Sequence, residues 1–165
     1  MTFSRFVSVA AVAAVSLSAC AWTEQGQIAA YFEEAQILAE GMAQVGTDFE
    51  TLMTEQENPL EWNAEAKAEL DVHFNALKAL QDEAAAMTVP EAFANVHPLL
   101  VQSIGEMVGA VDLIRGMAAD PSTATIQKAD DMTAKAENGE RLANEYVAEL
   151  ELVLAEKYPE MMEAE

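Results

Sequence analysis

Few residues of this chain have types that bind metal ions or carry out catalysis. There are two histidines, His73 and His97, and a single cysteine, Cys20. The acidic residue nearest before His73 is Glu69, four positions away, whereas di-iron helical bundles use a Glu-x-x-His spacing. No His-Glu-x-x-His, Cys-x-x-Cys-His, calcium-loop or Gly-x-Ser-x-Gly motif occurs. The sequence therefore predicts no enzymatic activity, no metal centre and no cofactor.

The cysteine ends a segment with the features of a signal peptide. Arg5 gives a basic start, residues 6–15 are uncharged and mostly apolar, and Ser18 and Ala19 are small residues suited to a cleavage site. The apolar run is shorter than the roughly 18 residues that a membrane-spanning helix needs. We therefore expect a leader, and not a transmembrane anchor, at the N-terminus.

The last four residues of this segment, Leu17-Ser18-Ala19-Cys20, resemble the bacterial lipobox. In that motif the leader is removed before the cysteine, which then carries lipid. The resemblance implies a signal peptide over residues 1–19 and one domain over residues 20–165, attached to a membrane through lipid on Cys20. It also implies an extracytoplasmic protein of the cell envelope. In Gram-negative lipoproteins, an aspartate directly after the cysteine resembles an inner-membrane retention signal. Ala21 occupies that position in this chain, so in a Gram-negative cell we expect attachment to the outer membrane.

The charge of the chain restricts its partners. With 8 basic and 29 acidic residues, its formal net charge is −21 at pH 7. Nucleic acid phosphates and anionic headgroups repel such a surface, so nucleic acid binding is excluded. Basic proteins or divalent cations are the partners that this charge favours.

Three sites where a capping residue meets a proline divide the chain into helices. Asn58-Pro59 and Asp120-Pro121 are cap-then-proline starts, and Thr88-Val89-Pro90-Glu91 matches a capping box. A second proline, Pro98, predicts either a kink or a separate short first turn in the third helix. The four predicted helices cover residues 23–57, 59–87, 90–119 and 121–157.

Apolar residues recur at steps of three and four in all four segments, which is typical of helices in a bundle. The pattern is regular from Ile28 to Leu52 and weaker in the fourth segment, from Ile126 to Val153. In the second segment it runs through Phe74, beside His73. Because the connections are short, neighbouring helices must run antiparallel. The sequence predicts an all-α, up-down-up-down antiparallel four-helix bundle.

Glycines inside the predicted helices suggest a special middle level of the bundle. Helix propensity disfavours each of these glycines, and antiparallel folding brings them near one middle level: Gly41, Gly46, Gly105, Gly109 and Gly139. One interpretation is close helix packing against a bulky neighbour. The other is a small cavity for a ligand, lined by His73, Ser103, Asn138 and Met42. In the second case His73 hydrogen-bonds to Ser103 and Asn138; otherwise it lies exposed on the bundle flank beside Glu69.

Methionine provides a further hypothesis, because thioether sulfur suits Cu(I). Met42, Met87 and Met107 fall on the apolar faces, where methionine commonly fills gaps in a core. Copper binding and core packing are therefore both compatible with these positions.

Residues 89–114, VPEAFANVHPLLVQSIGEMVGAVDLI, resemble the central stretch of small helical-bundle lipoproteins of the envelope. That resemblance implies a helical body and no particular activity. The resulting expectation is a lipid-anchored, non-enzymatic binding or structural module. The alternative is an envelope bundle that binds a small ligand or a metal such as copper near His73.

Overall fold

In a computed structural model, residues 24–56 and 58–159 are described, and they contain helices and no strand. The four α-helices are α1 (Glu24–Glu55), α2 (Ala64–Ala86), α3 (His97–Ala119) and α4 (Ile126–Lys157). Each packs against the next along the chain, α1 on α2, α2 on α3 and α3 on α4. The predicted all-α antiparallel four-helix bundle is confirmed.

The cap-then-proline motifs begin short 3-10 turns, and the α-helices start a few residues later. Asn58 caps the turn Pro59–Glu61, and its side chain accepts a hydrogen bond from the Leu60 N–H. The next residue, Trp62, leaves the helical conformation, and its buried indole donates to the Gln56 carbonyl oxygen across 2.6 Å. A second capping residue then begins the α-helix. Asn63 is the N-cap of α2, and Thr125 is the N-cap of α4 after the turn Pro121–Thr123.

The third helix also starts later than predicted. The capping box at Thr88 does not form, since Pro90 precedes the 3-10 turn Glu91–Phe93 and no side chain caps that turn. Helix α3 begins at His97 with Pro98 in its first turn. Proline lacks the N–H that would continue the hydrogen bonds of the preceding turn. Of the two outcomes that Pro98 allowed, the separate first turn is the one found.

The apolar faces predicted for α1 and α3 are buried from end to end, from Ile28 to Leu52 and from Phe93 to Ile114. In α2 the buried stripe passes through His73, which is 7 % exposed, and leaves Phe74 at the edge. Phe74 instead lies under the Arg115 guanidinium, 4.8 Å from its ring centroid. Phe74 is partly buried against the core, and His73 shares the stripe because a step of three or of four from Leu70 fits the helix equally well.

The first half of α4 contributes little to the core. Ile126, predicted to lie on the apolar face, is 83 % exposed, and the first buried residue of α4 is Gly139. From Leu142 onward α4 is buried in the usual pattern, ending at Leu154. The backbones of α1 and α4 also approach each other less than those of consecutive helices. The bundle is therefore more open between α1 and α4 than elsewhere.

Candidate functional site

A cleft of about 850 Å³ lies between α1, α3 and α4. Small-molecule sites in proteins have volumes of roughly 300–1,000 Å³ and mostly apolar linings. The floor is formed by α3, and the two walls by α1 and α4. Buried apolar side chains line its interior: Leu38, Met42 and Phe49 from α1, and Ile104, Met107 and Val111 from α3. The cleft has the size and the apolar character of a ligand-binding site.

The cleft exists because α4 presents short side chains to α1. Ala136 and Ala143 line it on the α4 side, where leucines would fill the gap. Met132 and Val147, both half-buried, are the larger apolar residues of that wall. The weak apolar pattern of α4 in the sequence is thus the local cause of the cleft.

Helix α4 is held against α3 at Gly139. The wholly buried Ser103 hydroxyl donates a hydrogen bond to the Gly139 carbonyl oxygen across 2.8 Å. A Cβ at position 139 would lie 3.2 Å from the Ser103 carbonyl oxygen and 3.2 Å from Met107 Cγ. Glycine therefore permits the close approach of the two helices. This contact keeps α4 on α3 and away from α1, which leaves the cleft open.

Tyr146, which lines the cleft, belongs to a buried polar network. The Tyr31 hydroxyl lies 3.0 Å from the Tyr146 hydroxyl and 3.2 Å from His97 Nδ1, and His97 Nε2 lies 3.0 Å from the Ala84 carbonyl oxygen. A carbonyl oxygen only accepts, so Nε2 carries the proton and Nδ1 accepts from Tyr31. Tyr146 in turn donates to Tyr31. The chain of donors is complete, and it links all four helices through side chains or backbone.

Burial sets the protonation states in this network. It lowers the pKa of His97, an effect that the hydrogen bond with Ala84 partly offsets. Burial raises the pKa of both tyrosines, and the neighbouring Tyr146 raises the pKa of Tyr31 further. All three groups are therefore neutral at pH 7. Phe93 stacks on the Tyr31 ring at a centroid distance of 5.2 Å and shields the network from water.

The four residues predicted to line a mid-bundle site do not form one cluster. Met42 lines the cleft, and Ser103 lies buried below it, bonded to Gly139. Asn138 donates to Glu106 Oε1 across 3.0 Å, next to the 2.9 Å ion pair of Glu106 with Lys135. These bonds, that of Lys135 above all, lower the pKa of Glu106. The hydrogen bonds expected between His73 and the Ser103 and Asn138 side chains are not formed.

His73 lies instead between α1 and α2. Its ring meets the Phe49 ring edge to face at a centroid distance of 6.4 Å, and Nε2 lies 3.9 Å from Glu69 Oε1. That separation is too long for a hydrogen bond, and in the described part of the chain Nε2 has no hydrogen-bond partner. Proximity to Glu69 was expected, whereas exposure of His73 on the flank was not found.

Residues 24–56 and 58–159 contain neither a metal cluster of the usual acidic, histidine or cysteine ligands nor a membrane-spanning helix. No group of three or more His, Cys, Asp or Glu side chains in these ranges is arranged to hold a metal ion. No helix within them combines the length and hydropathy that crossing a membrane requires. Cys20, the predicted lipidation site, lies outside the described residues.

Sequence reasoning missed the tyrosine and histidine network. Tyr31 and Tyr146 lie on the predicted apolar faces of the first and fourth helices, and the sequence pattern predicts no role for His97. The available signal was that a tyrosine on a buried face needs a hydrogen-bond partner for its hydroxyl.

Comparison of the chain with protein-family models, with curated proteins and with solved structures found no significant match in any of the three.

Proposed function

We propose that this protein is a non-enzymatic binding module of the cell envelope, held at a membrane through lipid on Cys20, that takes an apolar small molecule into the cleft. The single observation that carries the proposal is the 850 Å³ cleft between α1, α3 and α4. The interior of the cleft is lined by aliphatic, aromatic and methionine side chains. Such a surface gains free energy by removing apolar ligand area from water, about 25 cal/mol per Å².

The lining also suits a ligand of variable shape. Four methionines face the cleft: Met42, Met53, Met107 and Met132. Methionine is unbranched and polarisable, and surfaces rich in it adapt to different apolar partners. Tyr146, whose hydroxyl lies 3.0 Å from that of Tyr31, adds an aromatic side chain to the α4 wall. These features support binding of an apolar molecule along the α1 and α4 walls.

Nile red, a neutral dye whose fluorescence rises in apolar surroundings, tests the proposal. The full chain carrying Cys20→Ser, which cannot be lipidated, is titrated with the dye. We expect saturable binding that Ala136→Trp weakens by at least about tenfold, because the indole fills the cleft next to Met132. Ala148→Trp is the matched control, since Ala148 is exposed on the same helix and does not line the cleft. Equal effects of the two variants, or no saturable binding, would overturn the proposal.

Cu(I) binding is the second candidate, favoured by the four thioethers that face one cleft. Competition with the chromophoric chelator bicinchoninate measures it directly. If copper is the ligand, Met53→Leu combined with Met132→Leu lowers Cu(I) affinity, whereas binding of Nile red changes little because leucine conserves the apolar volume. If Cu(I) stays on the chelator with the unsubstituted chain, this second candidate fails.

A further inference from the structure

The rim of the cleft has a charge of one sign. Three glutamates line its opening, Glu50 on α1 and Glu137 and Glu140 on α4, and all three are exposed. Glu137 and Glu140 are three residues apart and so share a face of α4. Within residues 24–56 and 58–159, no lysine, arginine or histidine lines the cleft. A ligand seated in it meets apolar side chains inside and carboxylates at the mouth.

The basic residues of α4 nearest to Glu137 and Glu140 form ion pairs with other glutamates. Lys135 pairs with Glu106 of α3 across 2.9 Å, and Arg141 pairs with Glu145 across 2.6 Å. Neither of them lines the cleft. Glu137 and Glu140 therefore face a ligand at the mouth, and among the described residues of the lining there is no cation beside them. At physiological ionic strength the Debye length is about 8 Å, so carboxylates at the rim act on a head group more strongly than distant surface charges do.

We infer that the ligand is a cationic amphiphile, a small molecule with an apolar body in the cleft and an amine or quaternary ammonium group at the glutamate rim. This inference rests on the proposed function and names the class of molecule that the same cleft takes. Fatty acids and other anionic amphiphiles place a negative head group against Glu137 and Glu140, which is unfavourable. A second copy of the chain is also disfavoured as the occupant, because each copy carries a formal charge of −21.

The test compares three probes with the same tail: decyltrimethylammonium, decanol and decanoate, each kept below its aggregation concentration. Displacement of Nile red from the full chain carrying Cys20→Ser reports their affinities near neutral pH. We expect the cation to bind roughly fivefold or more tightly than the alcohol, and the anion to bind most weakly, since each exposed ion pair contributes modestly. Added salt narrows the difference between the cation and the alcohol.

The variant Glu137→Gln with Glu140→Gln isolates the rim. It lowers the affinity for decyltrimethylammonium by roughly fivefold and leaves that for Nile red unchanged. Glu149→Gln with Glu151→Gln is the matched control, because it removes the same charge from exposed positions of α4 outside the cleft. Thermal unfolding of both variants checks that the fold is retained.

The outcomes separate the two proposals. If Nile red binds but the cation and the alcohol have equal affinities, or if the two double variants act alike, the inference about the cationic head group is wrong and the apolar site stands. Binding of a basic helical peptide with no binding of the small amphiphile would also overturn it. If Nile red itself fails to bind, the proposed function fails, and the inference fails with it.

Discussion

The Ser103 hydroxyl donates a hydrogen bond of 2.8 Å to the Gly139 carbonyl oxygen, and this bond joins α3 to α4 at their close approach. A methyl group at position 139 would press on the Ser103 carbonyl oxygen, which is backbone and cannot move aside easily. We therefore predict that Gly139→Ala destabilises the fold despite the higher helix propensity of alanine. Ser103→Ala should cost about 1–2 kcal/mol, because it removes a buried donor. Urea unfolding measures both.

Gly116 provides the matched control for position 139. It lies within α3, and nothing is found within 4 Å of the Cβ that alanine would add. Gly116→Ala should stabilise the protein by up to about 1 kcal/mol through helix propensity alone. If both glycine variants were stabilising, the close approach at Gly139 would not limit side-chain size.

The hydroxyl of Tyr31 connects Tyr146 with His97. Tyr31→Phe leaves His97 Nδ1 without its donor and the Tyr146 hydroxyl without its acceptor, while the ring still packs on Phe93. We predict a loss of about 1–3 kcal/mol in the free energy of unfolding, the usual cost of unsatisfied buried polar groups. Tyr158→Phe should cost less, since its partner Glu24 is exposed and can turn to water. Equal losses in the two variants would contradict the larger contribution predicted for the buried Tyr31 hydroxyl.

Burial of His97 makes stability depend on pH. Because the folded state lowers the pKa of His97, the unfolded chain binds its proton first as the pH falls below about 6.5. The unfolded state is then favoured, so this contribution to stability is present above that pH and is lost as the pH falls. His97→Gln should remove it, with a slope of at most about 1.4 kcal/mol per pH unit. The measurement is the difference between the unfolding free energies of the two chains from about pH 7.5 to about pH 5.5. The carboxylates of the protein contribute equally to both chains and cancel in this difference. Parallel pH profiles of the two chains would refute the prediction.

His73 is buried with no hydrogen-bond partner for Nε2 in the described part of the chain. An unsatisfied buried group of this kind costs about 1–3 kcal/mol, so His73→Leu should raise the free energy of unfolding. The leucine keeps an apolar contact with Phe49. A stability below that of the unsubstituted chain would show that Nε2 has a partner in solution.

Lipid attachment at Cys20 is tested by metabolic labelling with a palmitate analogue in the native cell. We expect label on the unsubstituted chain and none on Cys20→Ser, because no other cysteine is present. Ser103→Ala, a change in the bundle, should leave the label intact. Recovery of the unsubstituted chain unlabelled from the culture medium would contradict the anchor.

The helical class and the buried faces of α1 and α3 could be predicted from sequence, because regular steps of three and four leave one choice of buried side. The prolines indicated where one helix ends and the next begins, because proline lacks a backbone N–H donor in any surroundings. They did not locate the helix starts, because α2 and α4 each have a second capping residue, Asn63 and Thr125, a few residues after the proline.

The sequence alone did not determine which side chains meet between helices. In α2 the spacing allowed either His73 or Phe74 on the buried stripe, and only the neighbours Phe49 and Arg115 decide between them. The cleft depends on the distance between α1 and α4, which follows from how closely Gly139 lets α4 approach α3. Periodicity is a property of one helix, whereas a cavity is a property of the space between several. For that reason the sequence determined the elements of this protein, and the tertiary structure determined its candidate binding site.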